Sequence, residues 1–152
     1  MEDPPADDLS KSQSIRDWKG DRLQSMADCV DFPFQIERLS PAALAYLGDS
    51  VYELYVRTYF LLPPRRISDY HDRVVAIVRA EGQAEQLRSL LPHLTESEKE
   101  ILRQGRNAVN RKPQRLDAEI YQQATSWETL IGYLYLTNIQ RLHELFSLLK
   151  FE

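Results

Sequence analysis

Two carboxylates stand where a sequence ordinarily places hydrocarbon. Asp49 lies in the middle of ALAYLGDSVYELYVR (Ala43 to Arg57), and Glu128 lies near the start of WETLIGYLYL (Trp127 to Leu136). Read as helices, both stretches are otherwise apolar on nearly every side. An acid in such a setting is costly unless it is paired, protonated or bound to a metal. Each stretch also has small residues close by, Ala45 and Gly48 for the first, Ala124 and Gly132 for the second, which permit helices to approach closely and set the two acids across a narrow gap. Carboxylates forced together repel and resist ionisation, and a divalent cation between them relieves both effects. Oxygen-only ligands suit Mg2+, which keeps several waters and commonly sits between carboxylates and a phosphate. A metal so placed polarises a phosphodiester and supplies hydroxide for its hydrolysis. The spacing is equally compatible with structural pairing of each acid to a buried arginine or a tyrosine hydroxyl.

A second candidate is RQGRNAVNRKPQR, Arg103 to Arg115, which has five bases and no acid. Arg106, Arg111, Lys112 and Arg115 offer charge for phosphates, while Asn107 and Gln114 offer amides for groove edges. On composition alone a solvated basic loop is the favoured explanation of the run, because short charge runs are common. His71, His93 and His143 lack metal-ligand spacing, and only His71 lies near other polar candidates. Cys29 has no partner for nucleophilic chemistry. The tyrosines at 46, 52, 55 and 59 read as helix-packing residues before base-stacking platforms.

The elements that must position these groups are helices. With five glycines in 152 residues, 43% hydrophobic and 28% charged, the chain has the composition of one soluble domain with too little glycine for many tight β turns. Ser40 caps and Pro41 opens a central helix expected over Pro41 to Leu61, with Leu44, Leu47, Val51, Leu54 and Thr58 as its buried stripe. Ser68 is expected to cap a second helix running to Leu90, and Thr95 with Glu98 forms a capping box for a third reaching about Gln104. From Gly105 to Leu116 there is no helical periodicity. A fourth helix is expected over Asp117 to Leu136, and a fifth over Ile139 to Phe151 with Asn138 as its cap. No segment alternates as a strand does, so the predicted fold is all-α, a helical bundle.

The formal charge of -4 arises wholly in residues 1–31, where eight acids face four bases. Residues 1–30 therefore read as an acidic tail, disordered apart from one short helix around Asp17 to Ala27, and residues 31–152 as the folded domain, with Phe32 and Phe34 tucked against its core. The neutral remainder leaves room for a local basic patch. One cysteine, no signal-peptide pattern and no membrane-length apolar run point to a cytoplasmic protein.

The motifs carry a resemblance. Tyr46-Leu47-Gly48-Asp49-Ser50-Val51 resembles the ribonuclease III signature E-x-x-E-F-L-G-D-[AS]-V, and Glu128-Thr129-Leu130-Ile131-Gly132 resembles the family's second acidic motif, E-A-L-I-G. Between them, Val78-Arg79-Ala80-Glu81 is similar to an L-V-x-x-E segment, which places Glu81 at a family acidic position as a supporting acid. Order and spacing agree over residues 36–150. Two family acids are absent: Ala45 stands at the second signature glutamate, and Thr125 at the aspartate three residues before Glu128. Together with the short length, which leaves no room for a double-stranded-RNA-binding domain, these departures resemble the stand-alone branch called Mini-ribonuclease III. The resemblance implies an all-helical homodimer, with Asp49 and Glu128 binding Mg2+ to hydrolyse double-stranded RNA to 5′-phosphate and 3′-hydroxyl ends in ribosomal RNA precursor maturation. It also implies RNA contacts by Arg106, Asn107, Arg111, Lys112, Gln114, Arg115 and His71. The missing acids keep open a catalytically silent domain that binds structured RNA or assists ribosome assembly. A helical protein-interaction module is the third alternative.

Overall fold

The computed structural model describes residues 26–27, 29–30, 35–109 and 117–151. The chain divides into two units, Met1–Phe34 and Gln35–Glu152. In the first, the Val30 amide donates to the Ala27 carbonyl and Cys29 is exposed. The expected tail, its helix before residue 26, and Phe32 and Phe34 lie outside the described residues.

In the larger unit the Ser40 hydroxyl accepts from the Ala43 amide, and Pro41 needs no donor at the first helical position, so the sequence starts helix α1 (Pro41–Tyr59) where its caps dictate. The helix ends two residues before the expected Leu61. Its buried face is Leu44, Ala45, Gly48, Val51, Tyr52 and Val56, while Leu54 and Thr58 from the expected stripe are exposed. On a helix apolar nearly all round, hydrophobicity does not encode the face. The small residues do, because they let a neighbouring helix approach.

The single helix expected from Ser68 to Leu90 is two. α2 (Ile67–Val78) and α3 (Ala80–Leu90) join at Arg79, whose backbone is extended. Arg66, not Ser68, occupies the α2 cap and makes no side-chain cap bond. A Cβ on Gly82 would lie 2.6 Å from the Ala76 carbonyl oxygen, so its absence allows the first turn of α3 to close onto the last turn of α2. No proline or glycine marks Arg79 itself, which is why periodicity ran through the break.

Helix α4 (Glu96–Asn107) begins with the expected capping box between Thr95 and Glu98. It extends to Asn107, taking in Gly105, Arg106 and Asn107 that periodicity left as loop. Gly105 explains the extension, because a Cβ there would press on Thr129 of the next helix, and its lack lets a polar turn pack. Helix α5 (Ala118–Thr137) is capped by Asp117, which accepts from the Glu119 amide at 2.7 Å. Asn138 caps α6 (Ile139–Leu148) through the Arg141 amide. α6 stops three residues before the expected Phe151. The non-helical end still buries Leu149 and Phe151.

α5 is the central rod. It packs most extensively on α1, then on α4 and α3. Trp127, Leu130 and Ile131 are wholly buried along it, with Tyr52 of α1 and Phe146 of α6 both set edge-on to the Trp127 ring. Away from this core, Glu98 is buried and takes two bonds of 3.0 Å from the Arg141 guanidinium, which also donates to the His93 carbonyl, tying α6 to the start of α4. No helix among the described residues is long and apolar enough to cross a membrane.

Candidate active site

The acids come together because α1 and α5 cross at glycine. A Cβ on Gly48 would lie 2.9 Å from the Gly132 nitrogen and closer still to the Glu128 carbonyl oxygen. A Cβ on Gly132 would run into the Leu44 carbonyl, so each helix fits the other only without a side chain at this point. The Gly48 contact carries Asp49, the next residue along, to the Glu128 end of α5.

Asp49 is exposed. This corrects the expectation of an acid inside the core: it occupies the solvent edge of the α1–α5 seam, while Ala45, one turn earlier, is only 5% exposed. Desolvation, followed by the charge of Glu53 one turn along, raises its pKa. Glu53 is itself paired with Arg57. Glu128 is half-buried, and its pKa is pushed up to about 7, first by burial and then by the charge of Asp49, with the Gln83 amide acting in the opposite direction. No arginine or tyrosine hydroxyl pairs with either acid among the described residues.

The pair suits a divalent cation of the Mg2+ type. Both carboxylates resist ionisation where they stand, both supply oxygen, and the exposure of Asp49 leaves the site open to water and to a phosphate. No cluster of three or more His, Cys, Asp or Glu side chains capable of holding a metal forms among the described residues, so Glu81 does not join Asp49 and Glu128. Glu81 is exposed in the first turn of α3.

Gln83 of α3 is buried instead, and its Nε2 donates to the Val78 carbonyl at 2.8 Å. About 100° of rotation per residue puts positions 81 and 83 on nearly opposite sides of the helix. Gln83 shares the buried side of the helix with Gly82, Ala84, Gln86 and Leu87. Of the expected RNA contacts, Arg106 and Asn107 are exposed at the C-terminal end of α4, and His71 is exposed on α2. Arg111, Lys112, Gln114 and Arg115 lie outside the described residues.

Residues 42–138 match the Ribonuclease III domain family. A Mini-ribonuclease 3 from Synechocystis is 55% identical over 127 residues, covering 84% of this chain and 88% of its own. One from Thermosynechococcus vestitus is 59% identical over 112 residues, covering 74% of each. A crystal structure of a protein from Fusobacterium nucleatum superposes with a TM-score of 0.68 at 28% identity, covering 74% of this chain and 92% of that one. The matched segment contains both acidic motifs and the whole α1–α5 crossing, and the chain belongs to the ribonuclease III family of endoribonucleases, with the Mini-ribonuclease 3 proteins as its relatives.

Proposed function

We propose that the protein is a Mg2+-dependent endoribonuclease that cuts double-stranded RNA to 5′-phosphate and 3′-hydroxyl ends, acting on ribosomal RNA precursors in the cytoplasm. The observation that carries this reading is the meeting of Asp49 and Glu128 at a glycine crossing, where each carboxylate is held in a setting that disfavours its charge. When bound, Mg2+ supplies polarisation of the phosphodiester and an acidified water. Asp49, exposed, and Glu128, half-buried, would hold that ion through their carboxylate oxygens. The rigid α1–α5 seam fixes their separation, so little reorganisation accompanies catalysis. Arg106 and Asn107, with the basic run that follows them in sequence, contact the duplex through phosphates and 2′-hydroxyls, which gives weak sequence preference.

A homodimer is part of the proposal. Tyr46 on α1 is 84% exposed and Ile67 at the start of α2 is 82% exposed, large apolar side chains of the kind a subunit interface covers. Sedimentation equilibrium is expected to give twice the chain mass.

The central test is cleavage of a duplex RNA with Mg2+, against an EDTA control and a single-stranded control. Asp49→Asn and Glu128→Gln are each expected to abolish product while leaving gel-shift affinity for the duplex within a few-fold. Wild-type cleavage by either variant would refute the site. Absence of any metal-dependent product from the wild-type protein would favour the silent RNA-binding domain, and absence of salt-sensitive RNA binding as well would favour the interaction module.

A further inference from the structure

Helix α1 carries three charged residues in its 19 positions, Asp49, Glu53 and Arg57, and they stand four apart. Four residues make a little more than one turn, so the three follow one another along one side of the helix at intervals of about 6 Å. Exposure alone does not account for the line. Ala42, Ala43, Tyr46, Ser50, Leu54 and Thr58 are exposed on α1 as well, and none of them is charged. The charge of the helix is gathered on a row that begins at the exposed acid of the candidate site.

Arg57 is held on this row at both ends. Its Nη2 donates to Glu53 Oε1 at 2.5 Å, and its backbone carbonyl accepts from the Tyr70 hydroxyl of α2. Side chains on a helix lean toward its N-terminus, and the bond to Glu53 draws this guanidinium the same way, back along α1 toward Asp49. Among the described residues the guanidinium makes no hydrogen bond besides that one, and 59% of the side chain is exposed. A guanidinium has five N–H donors in a planar fork, so most of this one is available to a ligand. Arg141, by contrast, is committed to Glu98, Glu144 and the His93 carbonyl, and Arg103 places two bonds on Glu100. An exposed pair at this spacing adds little to stability. What Glu53 supplies is direction, since it fixes the guanidinium without saturating it. Arg57 in turn offsets a carboxylate that would otherwise repel a polyanion beside Asp49.

We propose that Arg57, oriented by Glu53, binds a backbone phosphate of the RNA strand whose scissile phosphate lies at Asp49 and Glu128. The inference rests on the reading of those two acids as the centre of an RNA-cutting site. It extends the RNA surface from the end of α4 to α1, the helix that carries Asp49, and it makes Arg57 a substrate-binding residue with Glu53 as its positioning partner. The chemistry is that of a planar fork presenting parallel N–H groups to phosphate oxygens.

The test is a fluorescence-anisotropy titration of a labelled RNA duplex in EDTA over about 50–200 mM salt, with the full-length wild-type, Arg57→Gln, Arg57→Lys and Lys99→Gln proteins. Lys99 is an exposed base paired with Glu96 on α4, so its variant makes the same change of net charge on another helix. Arg57→Gln is expected to weaken binding about three- to tenfold and to lower the slope of log affinity against log salt by about one, the loss of a single phosphate contact. Arg57→Lys should keep the wild-type slope, and Lys99→Gln should match wild type throughout. In cleavage assays with Mg2+, the KM of Arg57→Gln for RNA should rise with the dissociation constant while kcat and the Mg2+ requirement stay within about twofold of wild type, a split that damage to the acids would not give. A wild-type slope in Arg57→Gln, an equal loss in Lys99→Gln, or a slope that falls with lysine as it does with glutamine overturns the inference and leaves Asp49 and Glu128 in place. Sedimentation of Arg57→Gln at half the wild-type mass would put Arg57 at a contact between copies of the chain and overturn it too. Absence of salt-sensitive duplex binding by wild type would refute the RNA-cutting reading and the inference with it.

Discussion

Replacing Glu128 by glutamine is expected to make the metal-free protein more stable at alkaline pH. In the fold, burial and then the neighbouring Asp49 charge lift the Glu128 pKa from 4.5 to about 7. A carboxyl with a raised pKa binds its proton more tightly when folded than when unfolded. The folded state is therefore unpenalised below about 4.5, loses stability as pH rises toward 7, and has the full cost above that. At about 1.4 kcal/mol per tenfold change in proton affinity, the cost at pH 8 is at most about 3 kcal/mol. Solvent reaching the half-buried group reduces it to roughly 1–3 kcal/mol. A neutral amide of the same size does not ionise, so Glu128→Gln removes the cost. For a chain of this length each kcal/mol moves the melting temperature by about 2–4 °C, giving an expected rise of roughly 2–12 °C. The assay is thermal melting in EDTA at about pH 8 and about pH 4.5, where the linkage predicts a gap between the two proteins at the first and none at the second. Mg2+ at the higher pH should stabilise wild type alone and narrow the gap. A Glu128→Gln protein no more stable than wild type at alkaline pH would show that the carboxylate is not penalised by the fold, and the reasoning from its setting would fail.

Gly48→Ala is expected to destabilise by about 3 kcal/mol or more in urea unfolding, because the new methyl meets the backbone of α5 and not a yielding side chain. Should the variant fold, cleavage should fall with it, since the displaced segment carries Glu128. Glu98→Gln should cost about 2–4 kcal/mol by leaving Arg141 without its buried partner. The Arg141 bond holds the Glu98 pKa below its ordinary 4.5, so this pair's stabilisation is present above that value and is lost as pH falls through the lower folded one, which an acid titration of wild type against the variant should show. Ala45→Glu, which restores an acid at the family's second signature position, is expected to lower stability by about 2 kcal/mol or more without lowering the Mg2+ requirement, as melting and metal titration of cleavage would report.

Caps, composition and acidic motifs were legible in the sequence because each is local. Ser40 with Pro41, the Thr95–Glu98 box and Asn138 all start helices where they were read. What hydropathy did not contain was direction. In α1 nearly every position is apolar, so the buried face could be located only through Ala45 and Gly48, and the stripe ending in Leu54 and Thr58 was misplaced. The same ambiguity put Asp49 in the core, when it stands at the edge. The break at Arg79 was invisible because it depends on Gly82 closing against α2, a contact between turns. Gln83 escaped because a buried amide has no signature until its partner, the Val78 carbonyl across the α2–α3 corner, is brought to it by the fold.

The two missing acids bear on whether the site is an enzyme's remnant or a smaller enzyme. Along one side of α1, Ala45 is buried, Asp49 is exposed and Glu53 is intermediate, so Asp49 is the first place on that line where water reaches. An acid one turn earlier would lie dry in the glycine crossing. At Thr125 the backbone carbonyl takes a 2.8 Å bond from the buried Thr129 hydroxyl, which also reaches toward the Pro41 carbonyl, so this turn of α5 is committed to packing on α1. Both substitutions therefore belong to the tight α1–α5 seam. Decay of a catalytic site would be expected to leave polar gaps or to strike the exposed acid first, since Asp49 contributes nothing to the core. Asp49 at the solvent edge, beside a carboxylate whose charge burial disfavours, fits the proposed metal site, one that would stay open to water and to a phosphate on its exposed side.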